Sequence, residues 1–433
     1  MTTLSREALV ALDKRFVWHP YTPMRRYVDE VDPFVVVRAS GPYLFDADGR
    51  RYVDGNSSWW VAALGHGHPR LVAALKAQAD VLAHTSLAGV THEPAARLGE
   101  RLVAAAPEGL TRVFYSDDGS TALEAAIKMA LGFHANQGRA ERRRFVSLGG
   151  AFHGETLGVT ALGGVELFRR SYADVLMRVD FVEPPGRADA EDCAAASALV
   201  EALRGGDAAA LVLEPLVQGA AGMRLYPPWY LALARRACDE AGALLIVDEV
   251  FTGYGRTGTF WAVEAAGVSP DLLCTAKAFS GGLLPMAATL VSDRVFDAFL
   301  GAPERAFFYG HSFCGNPLGA RVALEVLDVY AEEAVMEGVP ERARRIAAAF
   351  ERIGRISGTK DARSLGMIGA VDLAQDAGYL GRTGWRVHEE ARRRGAYVRP
   401  LGDVVYVAPP INTPLDALDE LLGIVEDSVA RAL

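Results

Sequence analysis

The sequence contains few of the features that mark several common classes of protein. Its four cysteines in 433 residues lie 36 to 45 residues apart with no Cys-x-x-Cys pair, which argues against a disulfide framework or a zinc knuckle. No apolar stretch approaches the roughly 18 residues of a membrane helix, and the charged N-terminus makes a poor signal peptide. With Lys+Arg 45 against Asp+Glu 54, the net charge of −9 excludes a generally basic nucleic-acid surface. We therefore expect a soluble cytoplasmic protein that binds small molecules, with no nucleic-acid or membrane partner.

The hydrophobic pattern divides the chain into three regions, in keeping with a length that suits two or three domains. Prolines break residues 1–68 into short extended segments. Over residues 69–320, short apolar segments such as Leu244 to Val247 alternate with helical patterns, which is typical of a mostly parallel sheet covered on both faces. Charged helices and short strands over residues 321–433 indicate a smaller α+β domain. The predicted fold class is therefore α/β, with a large and a small domain.

Lysine is scarce, and one of the five lysines stands in unusual surroundings. Lys277 follows the apolar segment 271–276 and precedes Ala278-Phe279-Ser280-Gly281-Gly282. A partly desolvated amine has a lowered pKa and suits covalent chemistry with a carbonyl group. An ordinary lysine that reaches solvent from the end of a strand explains the same context equally well.

Asp248 favours the chemical interpretation of Lys277. It ends a strand of four large apolar residues, where an unpaired carboxylate is costly and needs a cationic partner. The protonated ring nitrogen of pyridoxal phosphate is such a partner, and the aldehyde of the same cofactor needs a lysine. Asp248 and Lys277 are 29 positions apart, which leaves room for one helix, predicted over Trp261 to Gly267. Adjacent parallel strands would then bring both side chains to one sheet edge.

Further segments carry groups that suit the rest of this cofactor. Gly119-Ser120 opens a helix after a strand, where free N–H groups attract an anion, although Asp-Gly-Ser also makes an ordinary helix cap. The segment Gly310-His311-Ser312 offers a second hydroxyl group and backbone donors, and Phe152 stands among glycines, where it could stack on a planar ring. His66 and His68 favour a turn rather than a metal site, and we expect no metal.

Longer motifs give the chain a family resemblance. DDGSTALEAAIKMA, AFHGETLG, LEPLVQGAAGM, LLIVDEVFTGYGRTG and TAKAFSGG together resemble the class III, fold-type I aminotransferases, which depend on pyridoxal phosphate. The resemblance covers nearly the whole chain. It implies a large domain with a mostly parallel sheet that binds the cofactor, a smaller α+β domain, and a homodimer with its active site at the subunit interface. Residues 1–68 are expected to contribute to the small domain and the active-site channel.

The resemblance also assigns roles to individual residues. It implies that Lys277 binds the cofactor's aldehyde and that Asp248 faces the ring nitrogen. The other cofactor-binding residues it implies are Gly119, Ser120, Phe152, His311 and Ser312, with Ser312 reaching in from the other subunit. The substrate-binding residues it implies are Tyr21, Trp59, Trp60, Phe152, Lys277, Gly310 and Arg399, of which Arg399 holds a carboxylate. Glu214, Gln218 and Arg256 are expected near the site.

Three segments narrow the resemblance to a biotin-pathway branch of the class. They are WHPYTPM, the tryptophan pair in DGNSSWW, and VRPLGDVVYVAPP. This branch implies amino transfer from S-adenosylmethionine to 8-amino-7-oxononanoate, giving 7,8-diaminononanoate. Phe152 and Glu155 stand where a tyrosine and an aspartate are often found, and His311-Ser312 resembles a branch that uses lysine as donor. Lysine as donor and an ω-amino acid:pyruvate transaminase therefore stay open as alternatives. A catalytically silent scaffold is disfavoured, because Lys277 and Asp248 are both present.

Overall fold

The computed structural model describes residues 4–374 and 378–433. The α-helices are α1 (Arg6–Phe16), α2 (Met24–Glu30), α3 (Ser57–Trp60), α4 (Pro69–Val81), α5 (Glu93–Ala105), α6 (Gly119–Asn136), α7 (Leu157–Leu162), α8 (Glu166–Arg169), α9 (Ala194–Leu203), α10 (Trp229–Ala241), α11 (Asp293–Asp297), α12 (Pro317–Glu332), α13 (Val339–Ile353), α14 (Thr383–Arg394) and α15 (Leu415–Ala432). The 3₁₀ helices are Arg170–Val175, Ala262–Ala266, Lys277–Ser280, Pro303–Arg305, Val335–Gly338 and Gly378–Leu380.

The strands form four sheets. In chain order they are β1 (Val36–Ser40), β2 (Tyr43–Asp46), β3 (Arg51–Asp54), β4 (Leu110–Ser116), β5 (Arg144–Leu148), β6 (Val179–Val182), β7 (Ala208–Leu213), β8 (Val217–Gln218), β9 (Arg224–Leu225), β10 (Leu244–Asp248), β11 (Leu272–Thr275), β12 (Ala287–Ser292), β13 (Thr359–Leu365), β14 (Ile368–Leu373), β15 (Ala396–Tyr397) and β16 (Val404–Val407). The largest sheet has seven strands in the order β4-β12-β11-β10-β7-β5-β6.

This seven-stranded sheet is mostly parallel, as the sequence predicts. Strands β11, β10, β7, β5 and β6 run parallel to one another, whereas β12 is antiparallel to both of its neighbours, β11 and β4. Along β10, Leu245 and Val247 belong to one hydrophobic cluster, whereas Leu244 and Ile246 belong to another. Both faces of the sheet are therefore covered, which explains why its central strands are continuously apolar.

The C-terminal part contains a smaller antiparallel sheet, β13-β14-β16, packed against α13. The N-terminal strands β1, β2 and β3 form a separate sheet that is completed by β15, whose Ala396 pairs with Val53 in parallel. The beginning and the end of the chain are thus joined through one sheet. This arrangement places the segment after β3 beside the segment after β15, and both approach the edge of the large sheet.

One predicted element differs from the structure. The segment between Trp261 and Gly267 contains a 3₁₀ helix over Ala262–Ala266 rather than a full α-helix. Gly267 has a left-handed backbone, with φ of 59°, and ends the element after little more than one turn. The helical part of the connection between β10 and β11 is therefore short, although the two strands are still parallel.

Among the described residues, no helix is long and apolar enough to cross a membrane. All four cysteines are free thiols, and Cys238 and Cys274 are buried.

Candidate active site

The site lies at the carboxyl edge of the large sheet, where two neighbouring parallel strands end. Asp248 is the last residue of β10 and pairs in register with Cys274 of β11. Lys277 follows two residues after the end of β11. Both side chains line one cavity of about 480 Å³, a volume typical of small-molecule sites. The adjacency predicted from the sequence is therefore present.

Asp248 is held rigidly by its neighbours and is only 4% exposed. Its Oδ1 atom accepts a hydrogen bond from the N–H of Val250 at 3.0 Å, and its Oδ2 atom lies 2.7 Å from Nδ1 of His153. Within the described part of the chain, the buried Nε2 atom of His153 has no hydrogen-bond partner. Because a carboxylate accepts from Nδ1–H, this geometry favours the tautomer with Nε2 unprotonated.

Lys277 occupies a strained and desolvated position. Its φ is 49°, in the left-handed region that residues other than glycine rarely adopt. Its Nζ atom lies 4.8 Å from the ring of Trp60 and 5.9 Å from that of Phe251. Burial lowers the pKa of the Lys277 amine, while the charges of Asp248 and Glu214 partly oppose the shift. A lowered pKa makes the amine easier to deprotonate, as nucleophilic attack on a carbonyl requires.

The two tryptophans of the sequence motif point to different places. Residues 57 to 60 have φ values between 44° and 73°, so α3 is a single turn with a left-handed backbone. Trp60 is buried, and its Nε1–H donates to the hydroxyl of Tyr406 at 3.1 Å. Trp59 is 40% exposed and lies outside the cavity lining. The strained turn therefore directs one ring towards Lys277 and the other towards the entrance.

The start of helix α6, which also lines the cavity, offers donors for an anion. Helix α6 begins at Gly119, and its cap residue Asp118 accepts from the N–H of Thr121. In the described structure, the N–H groups of Gly119 and Ser120 make no hydrogen bond. A side chain is not tolerated at position 119, since a Cβ atom there would lie 2.8 Å from Cγ1 of Val250. These free N–H groups and the positive end of the helix dipole make a binding site for phosphate.

A buried carboxylate fixes the loop that carries Phe152. Glu214 accepts the N–H groups of Phe152 and Gly219, each at 3.0 Å. Burial raises the pKa of Glu214 to about 7, with Asp248 adding to the shift and His153 opposing it. Near by, the Nε2 group of Gln218 donates to the carbonyl of Gly149 at 3.0 Å, whereas its buried Oε1 atom has no described partner. This atom can accept a hydrogen bond from a ligand.

Arg399 lies outside the cavity lining, in an aromatic setting. Its guanidinium lies 4.8 Å from the ring of Trp59 and 5.8 Å from that of Trp385. No ion pair of Arg399 is found among the described residues, so its charge is available to a ligand. Trp59 contacts Tyr21 at 5.5 Å, and the hydroxyl of Tyr21 donates to Glu155, which lines the cavity. An aromatic path thus joins Arg399 to the cavity.

Other predicted residues do not line this cavity. Gly310 and Ser312 are exposed, and His311 lies 3.3 Å from Asp117 at the cavity rim. Arg256 is buried, and its guanidinium donates to the carbonyl of Pro409 at 2.7 Å. Burial lowers the pKa of Arg256 to about 10. We interpret Arg256 as a structural contact with the C-terminal part of the chain rather than as a ligand-binding group.

His153 is a site residue to which sequence reasoning gave no role. It lies 95 positions from Asp248 in the chain, so no local pattern reveals their contact. The sequence signal that could have identified His153 as a site residue is its position next to Phe152 in a loop bounded by glycines.

The chain belongs to the class-III aminotransferases, whose family model matches residues 25–429. It is 41% identical to an adenosylmethionine-8-amino-7-oxononanoate aminotransferase of Nitratidesulfovibrio vulgaris, over 97% of this chain and 81% of that relative. A protein of the same name from Geobacter sulfurreducens is 38% identical over 96% of each chain. The crystal structure of the Methanocaldococcus jannaschii protein of that name has a TM-score of 0.95 and 31% identity, covering 99% of both chains.

Class-III aminotransferases depend on pyridoxal phosphate. One related structure contains this cofactor: an amine transaminase from an uncultivated Pseudomonas species, with a TM-score of 0.88. That protein is 31% identical, over 96% of this chain and 99% of its own. The site described above fits the cofactor. The buried carboxylate of Asp248 matches its ring nitrogen, and the desolvated amine of Lys277 matches its aldehyde. The unpaired N–H donors at the start of α6 match its phosphate.

Proposed function

We propose that this chain transfers an amino group from S-adenosylmethionine to 8-amino-7-oxononanoate, forming 7,8-diaminononanoate for biotin biosynthesis. The observation that carries the proposal is the near-complete alignment with relatives whose names state this donor and this acceptor. The position of Arg399 supports it, because a free guanidinium beside the entrance suits a substrate with a distant carboxylate.

Two residues perform the central chemistry in this proposal. Pyridoxal phosphate, when bound, supplies a carbonyl for imine formation and a ring that withdraws electrons from the reacting carbon. Lys277 attaches the cofactor and then, as a free amine, moves a proton to and from the reacting carbon. Its lowered pKa keeps a fraction of the amine neutral for this task. The carboxylate of Asp248 would face the ring nitrogen of the cofactor, and His153 holds that carboxylate in place.

The remaining cofactor contacts follow from the cavity walls. Gly119 and Ser120 would hold the phosphate through their N–H groups, and Phe152, on the loop that Glu214 fixes, would pack against the ring. We assign further phosphate contacts to His311, which lies 3.3 Å from Asp117 at the cavity, and to Ser312 of a second subunit, because Ser312 is exposed and does not line the cavity of its own chain.

A second copy of the chain completes the site in this proposal. The large side chains of Phe308 and Phe313, on either side of Gly310, are 82% and 56% exposed. Burial of such rings against another subunit is favourable, so we propose a homodimer with the active sites at the interface. We also propose a division into an N-terminal segment (1–68), a large cofactor-binding domain (69–320) and a small domain (321–433). The free thiols fit a cytoplasmic location.

The substrate channel contains Tyr21, Trp59, Trp60 and Arg399. Trp59 and Tyr21 present aromatic faces at the entrance, where they can contact the sulfonium and adenine of the donor. Arg399 binds the carboxylate of the acceptor, and Gly310 contributes backbone to the channel of the neighbouring subunit.

The donor is tested with the purified holoenzyme and one donor at a time, without acceptor. S-adenosylmethionine is expected to bleach the visible absorbance of the bound cofactor in a single turnover, whereas lysine and β-alanine leave it unchanged. Bleaching by lysine alone would contradict the proposed donor. Bleaching by β-alanine, with turnover of pyruvate, would instead indicate an ω-amino acid transaminase.

A further inference from the structure

Phe168 of α8 is the centre of a group of aromatic contacts beside the site, in which Phe152 lines the cavity. Its ring lies 5.5 Å from Tyr21, 5.9 Å from Phe152 and 4.9 Å from Tyr379, in each case edge to face. These partners come from the N-terminal segment, the loop after β5 and the 3₁₀ helix Gly378–Leu380. Three separate parts of the chain therefore converge on one half-buried phenylalanine. We refer to Tyr21, Phe168 and Tyr379 as the aromatic wall.

Two oppositely charged residues, Glu155 and Arg399, lie close to the aromatic wall. Glu155 accepts the hydroxyl hydrogen of Tyr21 and lines the cavity near Lys277. Arg399 lies farther out, against the ring of Trp59. Burial raises the pKa of Tyr379, and both charges act on its hydroxyl: Arg399 lowers the pKa and Glu155 raises it. Tyr379 is therefore within electrostatic reach of both charged groups.

We propose that the aromatic wall holds the methylene chain of the acceptor and makes binding depend on the length of that chain. This inference rests on the proposed function, in which the acceptor has a carboxylate at one end and an amino ketone at the other. Arg399 suits the carboxylate, and Glu155 suits the ammonium group next to the ketone. The aliphatic chain between these ends gains binding free energy when it is buried against an apolar surface. Phe168 is the central residue of that surface.

The experiment measures binding of unreactive straight-chain carboxylates, from pentanoate to nonanoate, to the holoenzyme by calorimetry. In the wild type, each added methylene is expected to strengthen binding about three- to fourfold, the gain typical of full burial. Phe168→Ala is expected to reduce this factor to below about twofold, and Phe168→Leu to restore much of it. Arg399→Gln should weaken every ligand by the same factor and leave the chain-length dependence intact, because it removes only the carboxylate contact.

Phe181→Ala is the matched control, since Phe181 lies near α8 but outside the wall, 4.5 Å from the guanidinium of Arg169. It is expected to keep the wild-type dependence on chain length. A wild-type enzyme without chain-length dependence, an unchanged dependence in Phe168→Ala, or an equal loss in Phe181→Ala would each overturn the proposal. The fatty acids are not turned over, so the result is independent of the proposed reaction. A steep dependence without diamine formation contradicts only the proposed function.

Discussion

Replacement of Arg399 by alanine tests the contribution of this side chain to stability and its contribution to substrate binding, each by a separate measurement. The guanidinium contacts the rings of Trp59 and Trp385 and has no ion pair in the described structure. Two such contacts at a half-buried position contribute about 1–2 kcal/mol in total to the free energy of unfolding. The missing hydrogen bonds to a substrate carboxylate cost a further ~1.5–3 kcal/mol in the transition state, which is roughly 10- to 150-fold in kcat/KM.

The assay compares the two half-reactions of Arg399→Ala by stopped-flow absorbance. The half-reaction with the keto acid is expected to lose roughly 10- to 150-fold in kcat/KM, whereas the half-reaction with the donor changes only a few-fold. Urea unfolding gives the stability cost independently. Arg38→Ala is the control, because it removes a cation–π contact with Phe45 at 3.6 Å, far from the site. Equal losses in both half-reactions would refute the assignment and show that Arg399 supports the structure or both substrates.

Three further predictions concern the cavity residues Lys277 and Gly119 and the buried Glu249, which follows Asp248 in the chain. Lys277→Ala is expected to abolish turnover, and borohydride should no longer fix pyridoxal phosphate to the chain; fixation at another lysine would contradict this. Burial raises the pKa of Glu249 from 4.5 to about 7, so its contribution to stability is full below pH 4.5 and is lost as the pH rises through 7. Urea unfolding of the apoprotein should therefore show a fall in stability between pH 5 and 8 that is smaller in Glu249→Gln by about 3 kcal/mol, and an unchanged fall would contradict this. Gly119→Ala should weaken cofactor binding in equilibrium dialysis roughly tenfold, because the new Cβ overlaps Val250. Val250→Ala in the same chain should restore part of the affinity, and no recovery would show that the overlap is not the cause.

The sequence predicted that Asp248 and Lys277 lie close together, because the relevant signals are local. Apolar segments that end at Asp248 and just before Lys277 indicate strands that meet at one edge, and β10 and β11 are indeed adjacent and parallel. The free start of α6 at Gly119 could likewise be predicted from a strand followed by Asp-Gly-Ser.

The other features depend on tertiary structure. The contact between His153 and Asp248 spans 95 positions and arises only once β5 and β10 are in the same sheet. Neighbouring Trp59 and Trp60 diverge because of a left-handed turn that no residue preference favours in this sequence. The convergence on Phe168 joins residues more than 200 positions apart. Such contacts follow from the packing of whole domains, which periodicity does not describe.

The central claim is that this chain converts 8-amino-7-oxononanoate to 7,8-diaminononanoate with pyridoxal phosphate held by Lys277. The most direct measurement incubates the purified holoenzyme with S-adenosylmethionine and the keto acid, and identifies the product by mass spectrometry. The diamine is expected with the wild type and is expected to be absent with Lys277→Ala. If the wild type forms no diamine with either S-adenosylmethionine or lysine, yet aminates pyruvate from β-alanine, the claim is contradicted.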